Sequence, residues 1–257
     1  MSERTSYEPG TPSWVDLSTP DPDAAKRFYG ALFGWQADDA GPVEETGGYA
    51  MFRLRGKQVA GVGPLMDPNQ PPVWSTYVAT DDADAVAARA RDAGAQVLVE
   101  PMDVMDAGRM AVLAHPAGGI VGVWQPGRHT GAELVNEPGA LSWNQLHTRD
   151  KEGAAAFYNA VFGWTLGDFG GMPVFNLGEN GIGGMMDMPP GTPDEVPAHW
   201  MVIFSVADAD ATASQAADLG GQVLVPPGDI EGVGRLAVLT DPQGVVFAVI
   251  SLVPQDR

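Results

Sequence analysis

Residues 21–35 read DPDAAKRFYGALFGW, and residues 150–164 read DKEGAAAFYNAVFGW. Apolar residues at helical spacing predict a helix over 22–32, with Asp21 as its N-cap and Gly34 as its stop. A strand-like alternation of polar and apolar residues precedes each stretch, at 14–18 and at 141–148. A strand followed by a capped helix therefore occurs twice in this chain.

The repeat continues well beyond these stretches. Trp14 recurs 129 residues later as Trp143, and the sequence QVLV at 96–99 recurs 126 residues later at 222–225. A repeat of this length indicates two homologous halves, joined where Pro and Gly are frequent. The prediction is an N-terminal domain at 1–126, a linker at 127–138 and a C-terminal domain at 139–257.

Within each half, the order of strand, helix and then two or three strands occurs twice. In the first half the second helix is predicted over 83–93, between strands at 74–80 and 96–100. The sequence therefore predicts an α+β fold of four such modules in two pairs. Each pair forms a curved, antiparallel-rich mixed sheet with helices on one face.

Composition excludes several classes of function. The 257 residues contain no cysteine, which rules out disulfides, thiolate catalysis and metal sites built on cysteine. A net charge of −19 disfavours nucleic acid and anionic membranes as partners. The first ten residues lack the apolar segment of a signal peptide, and the longest apolar run, 245–253, is too short for a membrane helix. We expect a soluble, cytoplasmic protein.

The two quoted stretches, with the turns HPAG at 115–118 and DPQG at 241–244, resemble the vicinal oxygen chelate superfamily. That superfamily groups glyoxalases, bleomycin-resistance proteins and extradiol dioxygenases. The resemblance implies paired βαβββ modules, each pair forming a cup of eight curved strands around a small-molecule pocket. The chain is similar in particular to tandem-repeat glyoxalase-like proteins, some of which accompany aromatic polyketide pathways. Two fused halves already supply the module pairs, so we expect a monomer or a weak homodimer.

Metal-dependent members of that superfamily carry His, Gln or Glu ligands on the first and last strands of each module. The resemblance places the first-strand positions at Trp14 and Trp143, and those of the second modules near Ser75 and Met201. These side chains do not suit a divalent ion as a set. The remaining candidate strands also lack acids and histidines: 54–66, 119–125, 180–186 and 245–253. We therefore predict a metal-independent protein that uses no cofactor.

Strand alternation predicts which side chains face each cup. Trp14, Asp16 and Ser18 face the first cup, and the same count places Tyr77 there. An aromatic wall with few polar groups is typical of a site for a flat organic ligand. Trp14, Ser18 and Tyr77 are thus candidate ligand contacts, and Asp16 is a candidate catalytic residue. Core packing for Trp14 and a backbone hydrogen bond for Asp16 are the alternatives.

The second cup receives Trp143, Gln145 and His147 by the same count, with Met201 on the neighbouring strand. His147 is the one histidine predicted to point inward, and its titration range suits general-base work. It is therefore the second candidate catalytic residue, and the second cup is the preferred ligand site. Trp143, Gln145 and Met201 are its candidate ligand contacts. A purely structural role for His147 remains the alternative, and His199 is expected to be exposed at the start of a strand.

Met185 and Met186 are predicted to add a soft surface to the second cup. Arg109 recurs as Arg235, which indicates either a clamp for an anionic ligand group or a salt bridge within the fold. The occurrence of this arginine in both halves favours the salt bridge.

Three functions follow, in order of preference. The first is a metal-free protein that binds a hydrophobic, aromatic natural product, as bleomycin-resistance relatives do. The second is an enzyme of secondary metabolism that uses acid–base chemistry, with His147, Asp16 or Tyr77, on a polyketide- or quinone-like substrate. The third is a metal-dependent glyoxalase or dioxygenase, which the residues at the metal positions disfavour.

Overall fold

The computed structural model describes residues 2–253. They form two eight-stranded mixed sheets, one from each half of the chain, with the strand orders β2-β3-β4-β1-β5-β8-β7-β6 and β10-β11-β12-β9-β13-β16-β15-β14. The first sheet contains β1 (Pro12–Thr19), β2 (Gln36–Asp39), β3 (Ala50–Leu54), β4 (Lys57–Pro64), β5 (Val73–Ala79), β6 (Gln96–Val104), β7 (Gly108–Ala114) and β8 (Ile120–Pro126). The second contains β9 (Leu141–Thr148), β10 (Thr165–Phe169), β11 (Met172–Leu177), β12 (Asn180–Asp187), β13 (His199–Ser205), β14 (Gln222–Ile230), β15 (Gly234–Thr240) and β16 (Val246–Leu252).

Five helices accompany the sheets: α1 (Pro22–Phe33), α2 (Val43–Thr46), α3 (Ala83–Asp92), α4 (Lys151–Phe162) and α5 (Ala209–Asp218). The predicted ends of α1 are confirmed. Asp21 accepts a hydrogen bond from the Ala24 amide at 2.9 Å, and Gly34 ends the helix with a φ of 73°. Only glycine adopts that left-handed conformation at little cost, which explains why the helix stops there.

Each sheet joins two modules that are adjacent in sequence. In the first sheet β1 pairs antiparallel with β5 at the centre, and both strands continue the sheet through parallel partners, β4 and β8. The second sheet repeats this pattern with β9 and β13 at the centre. The α+β fold of four modules in two pairs is therefore confirmed.

Two edge strands and a short helix were not predicted. Both strands, β2 and β10, lie at the outer edges of their sheets, and most of their side chains are exposed. The four-residue helix α2 has no buried residue. Without a buried face, these segments carry no hydrophobic period for sequence reasoning to detect.

The two sheets pack back to back through the faces that carry the helices. Helix α1 of the first half contacts α5 of the second, and α3 contacts α4. Phe33 packs against Phe204 of the other half with ring centroids 5.2 Å apart and the rings tilted by 47°. The Thr76 hydroxyl donates a hydrogen bond to the Asn144 side chain at 2.7 Å, directly between the two central strands. We use "cup face" for the opposite face of each sheet.

The segment predicted as a linker packs along the first sheet. Ala132, Leu134 and Val135 are buried, and the Ala132 amide donates to the Ser13 carbonyl at 2.8 Å. Trp124 of β8 donates its indole N–H to the His129 carbonyl at 2.8 Å. This segment therefore forms part of the wall of the N-terminal cup face.

No helix in residues 2–253 is both long and apolar enough to cross a membrane.

Candidate functional site

A hydrogen-bonded chain of side chains lies on the N-terminal cup face. The Trp14 indole donates to the Tyr49 hydroxyl at 3.1 Å, and that hydroxyl makes a long hydrogen bond of 3.4 Å to the Asp16 carboxylate. Tyr77, which pairs with Trp14 across β1 and β5, lies on the same face of the sheet and lowers the pKa of Asp16. Asp16 keeps part of its surface exposed. We refer to Trp14, Asp16, Tyr49 and Tyr77 as the Asp16 cluster.

The Asp16 cluster contains one group that titrates near neutrality. Burial raises the pKa of Asp16 from 3.8 to about 7, although Tyr77 and the hydrogen bond from Tyr49 oppose the shift. Burial, together with the charge of Asp16, raises the pKa of Tyr49 and Tyr77 well above their usual range. At neutral pH Asp16 can therefore gain or lose a proton while both tyrosines remain protonated.

Glycines in neighbouring strands make the space for both tyrosines. A Cβ atom on Gly61 of β4 would lie 1.8 Å from the Tyr49 hydroxyl oxygen. A Cβ atom on Gly122 of β8 would lie 2.2 Å from Cδ1 of Tyr77. Both distances are far below any real contact, so the tyrosine positions depend on these glycines.

His129 and Trp124 complete the aromatic wall beside Trp14. The His129 ring packs edge-on against Trp14 with centroids 4.3 Å apart, and lies 5.5 Å from Trp124. Its Nδ1 lies 2.8 Å from Oε1 of Gln58, and burial lowers the pKa of His129 to about 4. Ser18 shares the cup face farther along β1, paired with Gly63 and half-buried.

The C-terminal cup face is more apolar. Its centre holds the buried side chains of Met201, Ile203 and Ile250, with Trp143 packed against them. With its amide oxygen turned toward β12, Gln145 accepts a hydrogen bond from the Met185 amide at 2.9 Å. Gln145 thus hydrogen-bonds the backbone of β12.

His147 lies on this cup face but it is not alone there. His199 is half-buried rather than exposed, because the antiparallel register of β9 and β13 sets it directly opposite His147. The two rings are parallel within 8°, with centroids 5.3 Å apart. Burial, and to a lesser extent the neighbouring His199, lowers the pKa of His147 to about 4. The expectation of a single inward histidine is therefore wrong.

The methionines of β12 divide between the two faces. Met185 is fully buried in the core between the sheets, so its predicted place in the cup is wrong. Met186, the next residue, pairs with His147 and is 46% exposed. Strand alternation explains the difference, because neighbouring residues point to opposite faces.

The repeated arginines are structural. Arg109 makes two hydrogen bonds to Asp84, at 2.8 and 3.0 Å, and one to Asp103 at 2.8 Å. Arg235 repeats this arrangement with Asp210 and Asp229. The salt-bridge interpretation is confirmed: Arg109 ties α3 to the first sheet, and Arg235 ties α5 to the second.

A further cavity of about 400 Å³ lies where the N-terminal segment meets the start of β9. Its lining includes Arg4, Tyr7, Trp143, Asn144 and Asn180. It is separate from the Asp16 cluster.

Comparison with known proteins assigns the family. The sequence model of the Glyoxalase/Bleomycin resistance protein/Dioxygenase superfamily matches residues 11–121 and 140–249, once in each half. The chain belongs to this superfamily. Within the glyoxalase/dioxygenase superfamily, the chain is 48% identical to a candidate glyoxylase of Mycobacterium tuberculosis, CFP32, over 99% of this chain and 100% of the relative. It is 40% identical to the anthracycline biosynthesis protein DnrV of Streptomyces peucetius, over 96% of this chain and 95% of DnrV.

Solved structures of the superfamily share the fold at low identity. The Mn(II)-bound glyoxalase from Novosphingobium aromaticivorans aligns with a TM-score of 0.65 at 19% identity, over 98% of this chain and 83% of that one. The 2,3-dioxygenase LapB from Pseudomonas sp. KL28 aligns with a TM-score of 0.67 at 11% identity, over 96% of this chain and 93% of LapB.

The glyoxalase/dioxygenase superfamily implies a metal ion, so we tested the residues at its ligand positions. Trp14 commits its indole N–H to Tyr49, and Met201 lies in the apolar cluster of the C-terminal cup. Trp143 and Ser75 offer no carboxylate or imidazole either. Within residues 2–253, no three His, Asp or Glu side chains gather around one point. The residues at these positions do not fit the superfamily's metal ion.

Proposed function

We propose that the N-terminal cup binds a flat, hydroxylated aromatic or quinone-like small molecule without a metal ion. The observation that carries this proposal is the Asp16 carboxyl group, partly exposed and hydrogen-bonded to Tyr49 beside the Trp14 indole, with Tyr77 on the same face. The relationship to an anthracycline biosynthesis protein supports the same class of ligand.

The chemistry of the Asp16 cluster suits such a ligand. Trp14, Tyr77 and Trp124 line this cup, and a planar ring system would pack against the edges that these largely buried side chains leave exposed. A carboxyl group that titrates near pH 7 accepts a hydrogen bond from a phenolic hydroxyl when ionised and donates one to a carbonyl when protonated. Hydroxyls and carbonyls are the polar groups of hydroxyquinones. Asp16 alone can therefore hydrogen-bond either group of such a ligand.

The N-terminal cup is preferred here, although the inward His147 favours the C-terminal cup from sequence. Met201 and Ile203 fill the centre of the C-terminal cup, and Gln145 is bonded to backbone. Asp16, by contrast, bonds side chains within its own cup and retains exposed surface.

A second candidate function is an enzyme that transfers protons, which the pKa of Asp16 favours. The ionised carboxylate would take a proton from a carbon next to a substrate carbonyl, breaking that C–H bond and leaving an enolate. The same proton would return from Asp16 to another atom of the enolate, so no oxidant or metal is required. Tyr77, protonated at neutral pH, would assist as a hydrogen-bond donor.

Fluorescence titration tests the binding proposal, because Trp14 belongs to the Asp16 cluster and Trp124 lies in the wall beside it. The probes are hydroxyanthraquinones and hydroxynaphthoquinones, each titrated at pH 8 after treatment with a chelator. We expect saturable quenching that Asp16→Asn weakens at least about tenfold, the loss typical of a charge-assisted hydrogen bond. Gln145→Asn, at the matching position of the C-terminal cup, should leave the affinity unchanged, as should added Mn²⁺ or Fe²⁺.

Absence of quenching by every probe, or equal affinities in wild type and Asp16→Asn, would refute this site. Carrier and enzyme are separated by incubating bound, enolisable ketones in D₂O and following deuterium uptake by NMR. Uptake that disappears in Asp16→Asn indicates the enzyme, whereas unchanged, bound ketone indicates the carrier.

A further inference from the structure

We propose that the rim of the C-terminal cup binds one late first-row transition-metal ion, with copper preferred, through the imidazoles of His147 and His199. This site is distinct from the superfamily's metal positions, which fall on Trp143 and Met201 in this half. It is also independent of the function proposed for the N-terminal cup.

Three neighbouring strands place the side chains that would bind the ion side by side across the sheet. His147 of β9 pairs with His199 of β13 on one side and with Met186 of β12 on the other. Paired residues of adjacent strands point to the same face, so two imidazoles and one thioether line up across the cup rim.

Both histidines have nitrogen lone pairs available. His147 is 7% exposed, and within residues 2–253 neither of its ring nitrogens has a hydrogen-bond partner. Buried polar atoms in folded proteins are nearly always paired, so an imidazole with both nitrogens unpaired indicates a missing partner.

His199 already has the arrangement of a metal ligand. Its Nδ1 lies 3.0 Å from the Pro197 carbonyl oxygen. Donation of the Nδ1 proton to that carbonyl leaves the Nε2 lone pair free. Histidines that bind metals commonly donate their other N–H to a carbonyl or carboxylate in this way, which fixes the tautomer and the ring orientation.

The donor types decide which ion fits. Imidazole binds copper, nickel and zinc, whereas a thioether selects copper, particularly Cu(I). Affinity for nitrogen donors also peaks at Cu²⁺ among the divalent ions of this row. The net charge of −19 raises the concentration of cations around the protein.

Binding requires a small movement of side chains. The ring centroids of His147 and His199 are 5.3 Å apart, whereas two nitrogens on one ion each lie about 2 Å from it. Met186 is 46% exposed and can turn toward His147, whereas the half-buried His199 needs only a small shift that keeps its hydrogen bond to Pro197.

The test uses the full chain without an affinity tag, after removal of metals with a chelator. Cu²⁺ is titrated by calorimetry and followed by electron paramagnetic resonance, and Cu⁺ is titrated in competition with bicinchoninate. We expect one equivalent of copper, with hyperfine coupling to two imidazole nitrogens. His147→Gln and His199→Gln should each weaken binding at least about tenfold, and Met186→Leu should weaken Cu⁺ more than Cu²⁺.

His129→Gln is the matched control, because His129 is a second buried histidine with an unpartnered Nε2 but lies in the N-terminal cup. It should bind copper like the wild type. The proposal is overturned if the wild type binds no stoichiometric copper, or if the His147→Gln/His199→Gln double variant binds as well as the wild type. Should His147→Gln fail to fold, the half-buried His199→Gln alone decides the outcome, since a site without His199 cannot be the one proposed.

Discussion

The two cups share one topology and differ in the chemistry of the faces that they enclose. Asp16 and Tyr77 of the first cup correspond to Gln145 and Ile203 of the second. The first cup therefore contains a titratable cluster at the place where the second contains an apolar one. On the opposite faces, an aromatic contact is repeated in both halves. Trp74 donates to the Tyr29 hydroxyl at 3.0 Å, and the equivalent bond from Trp200 to Tyr158 measures 2.8 Å.

This contrast shows which positions the fold requires and which it leaves free. Several aromatic side chains between the sheets, such as Tyr29 and Trp74, are kept in both repeats. The polar pair Thr76 and Asn144 is not. Side chains on the cup faces meet mainly their own cup, and the repeats have diverged there. The cup faces are therefore where a difference in function between the halves is expected.

The largest expected difference between the cups is a pH-dependent stability that comes from Asp16. Its pKa is about 7 in the folded protein and near 4 when unfolded, so the folded state holds this proton more tightly. The Asp16 proton makes its full contribution to the free energy of unfolding below about pH 4. This contribution, at most on the order of 4 kcal/mol, is lost as pH rises to about 7.

Urea unfolding of wild type and Asp16→Asn from pH 4 to 9 measures this contribution. The wild type should lose stability relative to the variant as pH rises to about 7, and the difference should then become constant. Tyr49 and Tyr77, which face Asp16, stay neutral throughout. The lowered pKa of His129 makes stability rise with pH, which is the opposite dependence. This effect is present in both proteins and cancels in their difference. Asp92→Asn on the surface serves as the control; a flat difference for Asp16→Asn would contradict the assigned pKa.

The next effect concerns the pairing of small and large residues in each cup. Tyr77 pairs with Gly122, whereas Ile203 pairs with Ala248 in the second cup. Gly122→Ala places a methyl group against the Tyr77 ring, so we expect a loss of about 1–3 kcal/mol in the free energy of unfolding. It should also abolish quenching by the quinone probes.

Adding Tyr77→Ile to Gly122→Ala copies the second cup into the first. The double variant should regain most of the lost stability without regaining ligand affinity. A double-mutant cycle by urea unfolding checks this, and additive effects would show that the two positions are not coupled.

The smallest effect is expected for the repeated arginines, and it should be equal in the two halves. Both Arg109 and Arg235 bridge exposed aspartates, where solvent screens the interaction. Arg109→Gln and Arg235→Gln should each lower the thermal unfolding temperature slightly and leave ligand affinity unchanged. A selective loss of ligand binding in either variant would revive the anion-clamp interpretation.

Much of the fold was predictable because buried faces impose a period on the sequence. The helix from Pro22 to Phe33 has its predicted cap and stop, and the alternation along β1 correctly placed Trp14 and Asp16 on the cup face. The segment from Gln36 to Asp39 was missed because its exposed residues show no such period.

The candidate site was only partly predictable, because its partners come from distant segments. Tyr49 lies just outside a strand, and its contact with Asp16 depends on the space above Gly61. His129 lies in a segment without hydrophobic period and reaches Trp14 only through the path of the linker. His199 meets His147 through the register of two strands, which no local pattern specifies. The glycines of β4 and β8 were the available signal, since glycine inside a strand often marks a close approach.

The back-to-back packing of the sheets also bears on how a duplicated gene can diversify. Trp35 at the end of the first repeat motif donates to the Gly139 carbonyl at 2.7 Å, and Trp164 donates to the Gly10 carbonyl at the same distance. Each half thus holds the chain that leads into the other, so loss of either copy would leave the remaining half without part of its packing. Selection then acts on the two outward surfaces separately, and a single polypeptide can acquire two unrelated ligands while its shared interior stays unchanged.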